Sequence, residues 1–197
     1  MRAVNSFKYL FTSGIRLSLI QEIFYFPGEM HYVRELTRLI KTEINAVRRE
    51  LANLVKSGLV VSESRSNKIY YQANYSSPLF QDMVTLAHKT HGLGGDIHKS
   101  LNKLGKINLV FYSRNFLTNE ARGDNYDKVD IIIVGQVILP ELSELIKKEE
   151  VLRGYEVNYM VMEQSELNIR RQRRDPFIID FYINYPVVIC GEYAKIT

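Results

Sequence analysis

The sequence predicts an α+β fold in two parts, and three observations predict it. Apolar residues recur at helical spacing in three stretches before residue 57. Two β-like runs joined by a polar turn follow immediately. Beyond Gly105 the pattern changes to short apolar strands alternating with helices, as expected of a small α/β domain.

Residues 13–26 read as the first helix, because Ile15, Leu19, Ile20, Ile23 and Phe24 recur at its period and Pro27-Gly28 ends the run. Residues 30–33 can pair as a one-rung strand. Residues 32–40 give a second, short helix with Val33, Leu36, Leu39 and Ile40 on one face. Lys41-Thr42 makes a turn, and Thr42 is placed to N-cap a third helix running to about Ser57. Its buried stripe is Ile44, Val47, Leu51, Leu54 and Val55, and Gly58 is placed to stop it in the left-handed conformation. Residues 59–63 and 68–73 form a hairpin around the polar turn 64–67. Three helices followed by a two-stranded hairpin is the order of a winged helix-turn-helix.

In the rest of the chain, 78–91 reads as a helix with Leu79, Met83, Leu86 and Ala87 inward. The glycine cluster at 92–95 reads as a break and hinge, with another short helix over 97–104. Strands are expected over 107–112, 129–134, 155–162 and 187–190, and helices over 140–152, 164–174 and 177–182. The expected organisation is a winged helix-turn-helix at 1–75, linker helices at 76–104 and a small α/β domain at 105–197.

Composition narrows the function classes. Of 197 residues, 46% are hydrophobic and 24% charged, the balance of an ordinary globular protein. No apolar run approaches the ~20 residues of a membrane helix, and the N-terminus carries no signal-peptide core. Cys190 is the single cysteine, so no intrachain disulfide can form, and a reducing cytoplasm is the simplest compartment. The net charge of +4 is unevenly spread: residues 1–75 hold 11 basic and 6 acidic side chains, the remainder 15 and 16. All the excess positive charge therefore lies in the first module, which suits a polyanionic partner.

The third helix carries the sharper signal. With Ile44, Val47 and Leu51 buried, 100° per residue turns Glu43, Asn45, Ala46 and Arg49 outward, with Arg48 at the edge. A recognition helix needs this arrangement: Asn can bond adenine bidentately, Arg can bond guanine, and Ala46 is small enough to meet a thymine methyl. Arg34 at the start of the second helix suits a phosphate, and Arg65 and Lys68 flank Asn67 at the hairpin tip. The plain alternative is that Arg48-Arg49-Glu50 is solvated surface charge.

The stretches His31-Tyr32-Val33-Arg34-Glu35-Leu36, Asn45-Ala46-Val47-Arg48-Arg49-Glu50-Leu51, Leu54-Val55-Lys56-Ser57-Gly58-Leu59-Val60 and Lys68-Ile69-Tyr70-Tyr71-Gln72-Ala73-Asn74 resemble prokaryotic winged-helix transcriptional regulators. The resemblance implies double-stranded DNA as partner, with Arg34, Thr42, Asn45, Ala46, Arg48, Arg49, Arg65, Asn67 and Lys68 at the interface. A homodimer is expected as well, with the apolar face of the 78–91 helix as its contact, so that two recognition helices meet half-sites about one helical turn apart.

Relatives of this kind often carry a nucleotidyltransferase-like domain, and 105–191 is similar, a resemblance that implies a mixed sheet. Val129-Asp130-Ile131-Ile132-Ile133-Val134-Gly135 resembles its acidic strand, followed by Tyr155 to Met162 and Arg174-Asp175-Pro176-Phe177. An active member needs Gly-Ser after the first strand and Asp-x-Asp on the next, where alternate residues share a face and hold Mg²⁺. Here Tyr112 replaces the glycine before Ser113, and Lys128 stands where the first Asp belongs. Asp127 is out of phase with Asp130, and Asn158 lies near the third acid position. The domain is accordingly expected to be no enzyme, without metal or cofactor, serving dimerisation or sensing of an unspecified effector. The alternative is an active nucleotidyltransferase targeted by the winged helix. The remaining features have ordinary roles: the 170–174 run as a solvated helix face, and His88 and His91 as surface histidines.

Overall fold

The computed structural model describes residues 11–119 and 129–191. The chain divides into two compact units, Met1–Thr90 and His91–Thr197. The division falls inside the 76–104 stretch assigned from sequence to linker helices, giving one of its helices to each unit. Among the described residues no helix is long and apolar enough to cross a membrane.

In the first unit, α1 (Gly14–Tyr25) is the central element. The Ser13 hydroxyl accepts the Arg16 N–H at 3.2 Å and caps it. Leu17, Leu19, Ile20, Ile23, Phe24 and Tyr25 are all buried, a spread too wide for one stripe, and both α3 and α4 pack against it. β1 (His31–Tyr32) leads into α2 (Val33–Leu39), and α3 (Ile44–Lys56) follows. Val47, Leu51 and Leu54 are buried as the periodicity predicts, and each contributes roughly 1.5–3 kcal/mol of burial. Ile44 and Val55, also expected in that stripe, are half-buried.

Thr42 does not cap α3. The N-cap is Glu43, in extended conformation and without a side-chain capping bond. The turn explains the difference: Lys41 adopts φ 50°, and the Thr42 N–H bonds the Thr37 carbonyl at 3.3 Å. Thr42 thereby belongs to the end of α2. Gly58, at φ 73°, ends α3 as expected, its N–H bonding the Val55 carbonyl at 3.0 Å.

β2 (Val60–Arg65) and β3 (Lys68–Ala73) form an antiparallel hairpin, and β1 pairs the other edge of β3. Arg65 faces Lys68, so the turn is the pair Ser66-Asn67 and not the four residues expected. Ser66 supplies the positive φ, 52°, that a tight two-residue hairpin turn needs.

α4 (Phe80–Thr90) packs on α1 through Phe80, Val84, Ala87 and His88. The inward stripe is thus rotated by one residue from Leu79, Met83 and Leu86. Aromatic contacts set the rotation: Phe80 lies 6.2 Å from Phe24 and 4.5 Å from Tyr75 between ring centroids. His88, read from sequence as a surface residue, is 0% exposed and lies 4.4 Å from the Tyr25 ring.

The second unit begins with α5 (Gly92–Lys99), so the glycine cluster opens a helix instead of only breaking one. His91, in extended conformation, is its N-cap, Gly92 is its first residue at φ 55°, and Gly94 and Gly95 are buried within it beside Leu93 and Ile97. The helix expected over 97–104 is therefore displaced toward the N-terminus. There follow β4 (Gly105–Tyr112), α6 (Arg114–Thr118), β5 (Ile131–Val137), α7 (Leu139–Arg153), β6 (Tyr159–Met162), α8 (Gln164–Gln172), α9 (Pro176–Ile183) and β7 (Val187–Gly191). The short α6 has no counterpart in the sequence reading. The strand expected over 155–162 is paired only from Tyr159.

The sheet runs β6-β5-β4-β7, with β4 antiparallel to both neighbours and β5 parallel to β6. It is the mixed sheet predicted. Leu109, Phe111, Ile132, Val134 and Val188 form a core with Met162, Leu167, Ile178 and Phe181. The alternate residues Val110, Tyr112, Ile131 and Ile133 are buried too, so both sheet faces are covered. Beneath the end of α7, the guanidinium of Arg153 is 0% exposed and donates to Glu149 at 2.5 Å, to the Phe116 carbonyl at 2.9 Å and to Asn119 at 3.1 Å. It lies 3.7 Å from the Phe116 ring, tying α6 to α7.

Candidate nucleic-acid interface

α3 sorts its side chains by rotation. Val47, Glu50, Leu51 and Leu54 are buried, while Glu43, Asn45, Arg48 and Arg49 are exposed and Thr42 and Ala46 half-buried. The exposed polar groups fall on the first two turns, the part of such a helix that can reach into a major groove. Arg48 Nη1 donates to Asn45 Oδ1 at 3.4 Å, so these two sit side by side. Arg34 is exposed in the first turn of α2, whose start is fixed by the Tyr32 N–H donating to Glu35 Oε2 at 3.3 Å.

The back of α3 holds a residue to which sequence reasoning gave no role, naming it as surface charge only in the plain alternative. Glu50 is 5% exposed, and its Oε2 accepts Arg16 Nε from α1 at 2.9 Å and Asn53 Nδ2 at 3.3 Å. Burial pushes this carboxyl up, but hydrogen bonds from Ser13, Asn53 and Arg16, with the charge of Arg16, outweigh it and hold it below the usual value. The available signal was position: Glu50 lies three residues after Val47 and next to Leu51, at the edge of the apolar stripe.

The wing's cations are partly engaged. Arg65 donates to Glu63 through Nε and Nη2, both at 2.9 Å, and its guanidinium lies 6.0 Å from the Tyr70 ring centroid. The Lys68 ammonium sits 4.8 Å from the Tyr32 ring centroid. Asn67 is exposed in the turn. Glu63 is the wing residue the sequence reading passed over. It faces Tyr70 across the hairpin and brings a negative charge beside Arg65.

Next to α2, His31 is 5% exposed, with Nδ1 3.4 Å from Glu35 and Nε2 4.0 Å from Glu29. It pairs with Tyr71 of the wing through β1, so α2, β1 and the wing form one continuous support.

In the second unit, the residues matched to the nucleotidyltransferase pattern meet at one end of the sheet. The Ser113 N–H donates to the Asp130 carbonyl at 2.8 Å, and Ser113 Oγ caps α6 by accepting the Phe116 N–H. Asp130 is 6% exposed, and its Oδ2 accepts the Asn158 N–H at 2.8 Å. Tyr112 is fully buried. Lys128 and Asp127 lie outside the described residues. In the basic run, Arg170 pairs with both Glu166 and Asp175, and Arg173 and Arg174 are exposed. Among the described residues no group of three or more metal-ligating side chains comes together.

The first unit, with helices α1 to α3, the sheet β1-β3-β2 and a tight hairpin beyond the third helix, is a winged helix. No family model matches the chain, and no curated protein matches it. Among solved structures it is similar to reduced HlyU from Vibrio cholerae N16961, at 22% identity and a TM-score of 0.35, over 44% of this chain and 92% of that one. It is also similar to human N-acetylserotonin methyltransferase in complex with SAM, at 16% identity and a TM-score of 0.29. That match covers 52% of this chain, which spans about a third (34%) of the methyltransferase.

Proposed function

We propose that this protein is a transcriptional regulator that binds double-stranded DNA sequence-specifically through α3 and its wing. One observation carries the proposal: Asn45, Arg48 and Arg49 stand exposed on the first turns of a helix whose opposite side is locked into the core by Val47, Glu50 and Leu51. Side chains with bidentate capacity on a rigid helix are what base readout requires. Arg34, Arg65 and Lys68 supply phosphate contacts, which give affinity and register without sequence preference. Selection from a random duplex pool tests the reading. Enrichment of a defined motif supports it, and a pool that never departs from random composition sinks it.

The second unit serves as a non-catalytic domain for pairing or sensing. The Asp130 carboxylate is already committed to a backbone N–H of Asn158. Lys128, at the first acid position, would repel a divalent cation. The opposing reading, an active nucleotidyltransferase, predicts that labelled nucleoside triphosphate with Mg²⁺ labels a product or the protein itself. Such labelling, abolished in Asp130→Asn, would replace the non-catalytic reading.

A further inference from the structure

The two ends of the second unit's sheet are built differently. Where β5 and β6 begin, the Asp130 carboxylate is buried and bonded to backbone. Where these two parallel strands finish, a cleft of about 200 Å³ opens between the sheet and the start of α8. In α/β sheets, ligands characteristically bind outside the carboxyl ends of the strands.

The cleft exists because β4 is irregular there. The β4–β5 register jumps between Ile107 and Leu109, leaving Asn108 with no residue opposite it on β5. Gly135, at φ 144°, lies so close that a Cβ there would stand 2.1 Å from the Lys106 carbonyl oxygen. On the other side, a Cβ on Gly191 would stand 2.2 Å from the Asn108 carbonyl oxygen. Two glycines therefore admit the bulged backbone from both flanking strands. The Asn108 side chain lines the cleft, and its Nδ2 donates to Gln164 Oε1 at 3.4 Å. Bulges that re-aim a side chain in this way are common beside functional sites.

The lining also holds one cation and one anion, Lys106 and Glu163. Among the described residues neither has an ionic partner, whereas Arg170 on α8 is paired twice. Glu163 accepts the Ser165 hydroxyl, at 3.4 Å. Among the described residues no aliphatic or aromatic side chain lines the cleft.

We propose that this cleft binds a free α-amino acid as the regulator's effector, with the ligand carboxylate toward Lys106 and its ammonium toward Glu163. The Asn108–Gln164 amide pair orients it between the two charges. This inference rests on the sensing role assigned to the second unit, and it places the sensor at the opposite end of the sheet from Asp130.

Calorimetric titration of the full chain, without DNA, tests it against the free amino acids. Each is accompanied by its decarboxylated amine and its deaminated acid. Saturable binding of at least one amino acid is expected, with both one-charge analogues at least about tenfold weaker, a loss of about 1.4 kcal/mol. Lys106→Gln and Glu163→Gln should each weaken it by a similar factor while the melting transition stays in place. The inference is overturned if no amino acid binds saturably, if a one-charge analogue binds equally well, or if neither substitution changes the affinity. Because DNA is absent from the titration, failure of the DNA-binding reading would leave this result intact, and the reverse holds as well.

Discussion

Arg16 on α1 and Glu50 on α3 meet at 2.9 Å across the interior of the winged helix, and this pair fixes how α3 is turned about its own axis. The apolar stripe of Val47, Leu51 and Leu54 supplies burial but little angular precision, because the hydrophobic effect is non-directional. A charged hydrogen bond at the stripe's edge supplies the angle. Glu50→Ala should cost about 1–3 kcal/mol of stability. That lies below the 3–5 kcal/mol typical of a broken buried pair, because a third of the Arg16 side chain stays solvated. The milder Glu50→Gln should lower discrimination between a selected duplex and random DNA more than it lowers binding to random DNA. Equal losses on both would make the pair a stabiliser only.

The same carboxyl gives a pH dependence with a defined sign. Its folded pKa is lowered, so its contribution is complete above the ordinary glutamate range and disappears as pH falls through the lowered value. Wild type should therefore lose more stability on acidification below about pH 4.5 than Glu50→Gln does. Parallel pH–stability curves from denaturant melts would contradict this.

On the exposed face of α3, Asn45→Ala and Arg49→Ala should each cost about 1–3 kcal/mol of specific DNA binding, the worth of a bidentate base contact. Fluorescence anisotropy on selected and random duplexes measures it. Equal weakening on both would move these residues to the phosphate backbone.

The wing yields opposite effects from neighbouring residues. Lys68→Ala and Arg65→Ala should weaken binding to all duplexes and flatten the salt dependence by about one unit of slope for each phosphate no longer neutralised. Glu63→Gln frees Arg65 from its bidentate partner and should tighten non-specific binding and steepen the slope. A Glu63→Gln protein that binds no tighter than wild type would leave Arg65 outside the interface.

In the second unit, Arg153→Met should destabilise by about 3–5 kcal/mol, because it removes the buried guanidinium that bonds Glu149, which is 3% exposed. Denaturant unfolding followed by tyrosine fluorescence reads the change. A cost below about 1 kcal/mol would mean that the Phe116 carbonyl and Asn119 find other donors.

A homodimer is expected, paired through the flank of α4 that α1 leaves uncovered. Leu79 is half-exposed there, with Met83 and Leu86 half-buried. Two-fold pairing would match two recognition helices to half-sites about one helical turn apart. Light scattering should give twice the monomer mass for wild type and the monomer mass for Leu79→Glu/Met83→Glu. A monomeric wild type would end the idea, and a dimeric double variant with intact fold would move the interface elsewhere.

The order of elements in the winged helix and the outward turn of Glu43, Asn45 and Arg49, with Arg48 at the edge, were legible from residue order alone. They follow from the period of apolar residues, which is local and mostly survives into structure, although the α4 stripe turned by one residue. Packing across the fold settled what period leaves open. Thr42 gave up the capping role because Lys41 took a left-handed turn that commits the Thr42 N–H to Thr37. His88 and Glu50, polar residues beside apolar stripes, went inside because Tyr25 and Arg16 on α1 were there to receive them. The cleft beside Asn108 depends on Gly135 and Gly191, both distant in sequence, meeting one bulge in β4. A polar side chain's burial is set by the partner it finds, and partners brought together across a fold leave no periodic trace along the chain.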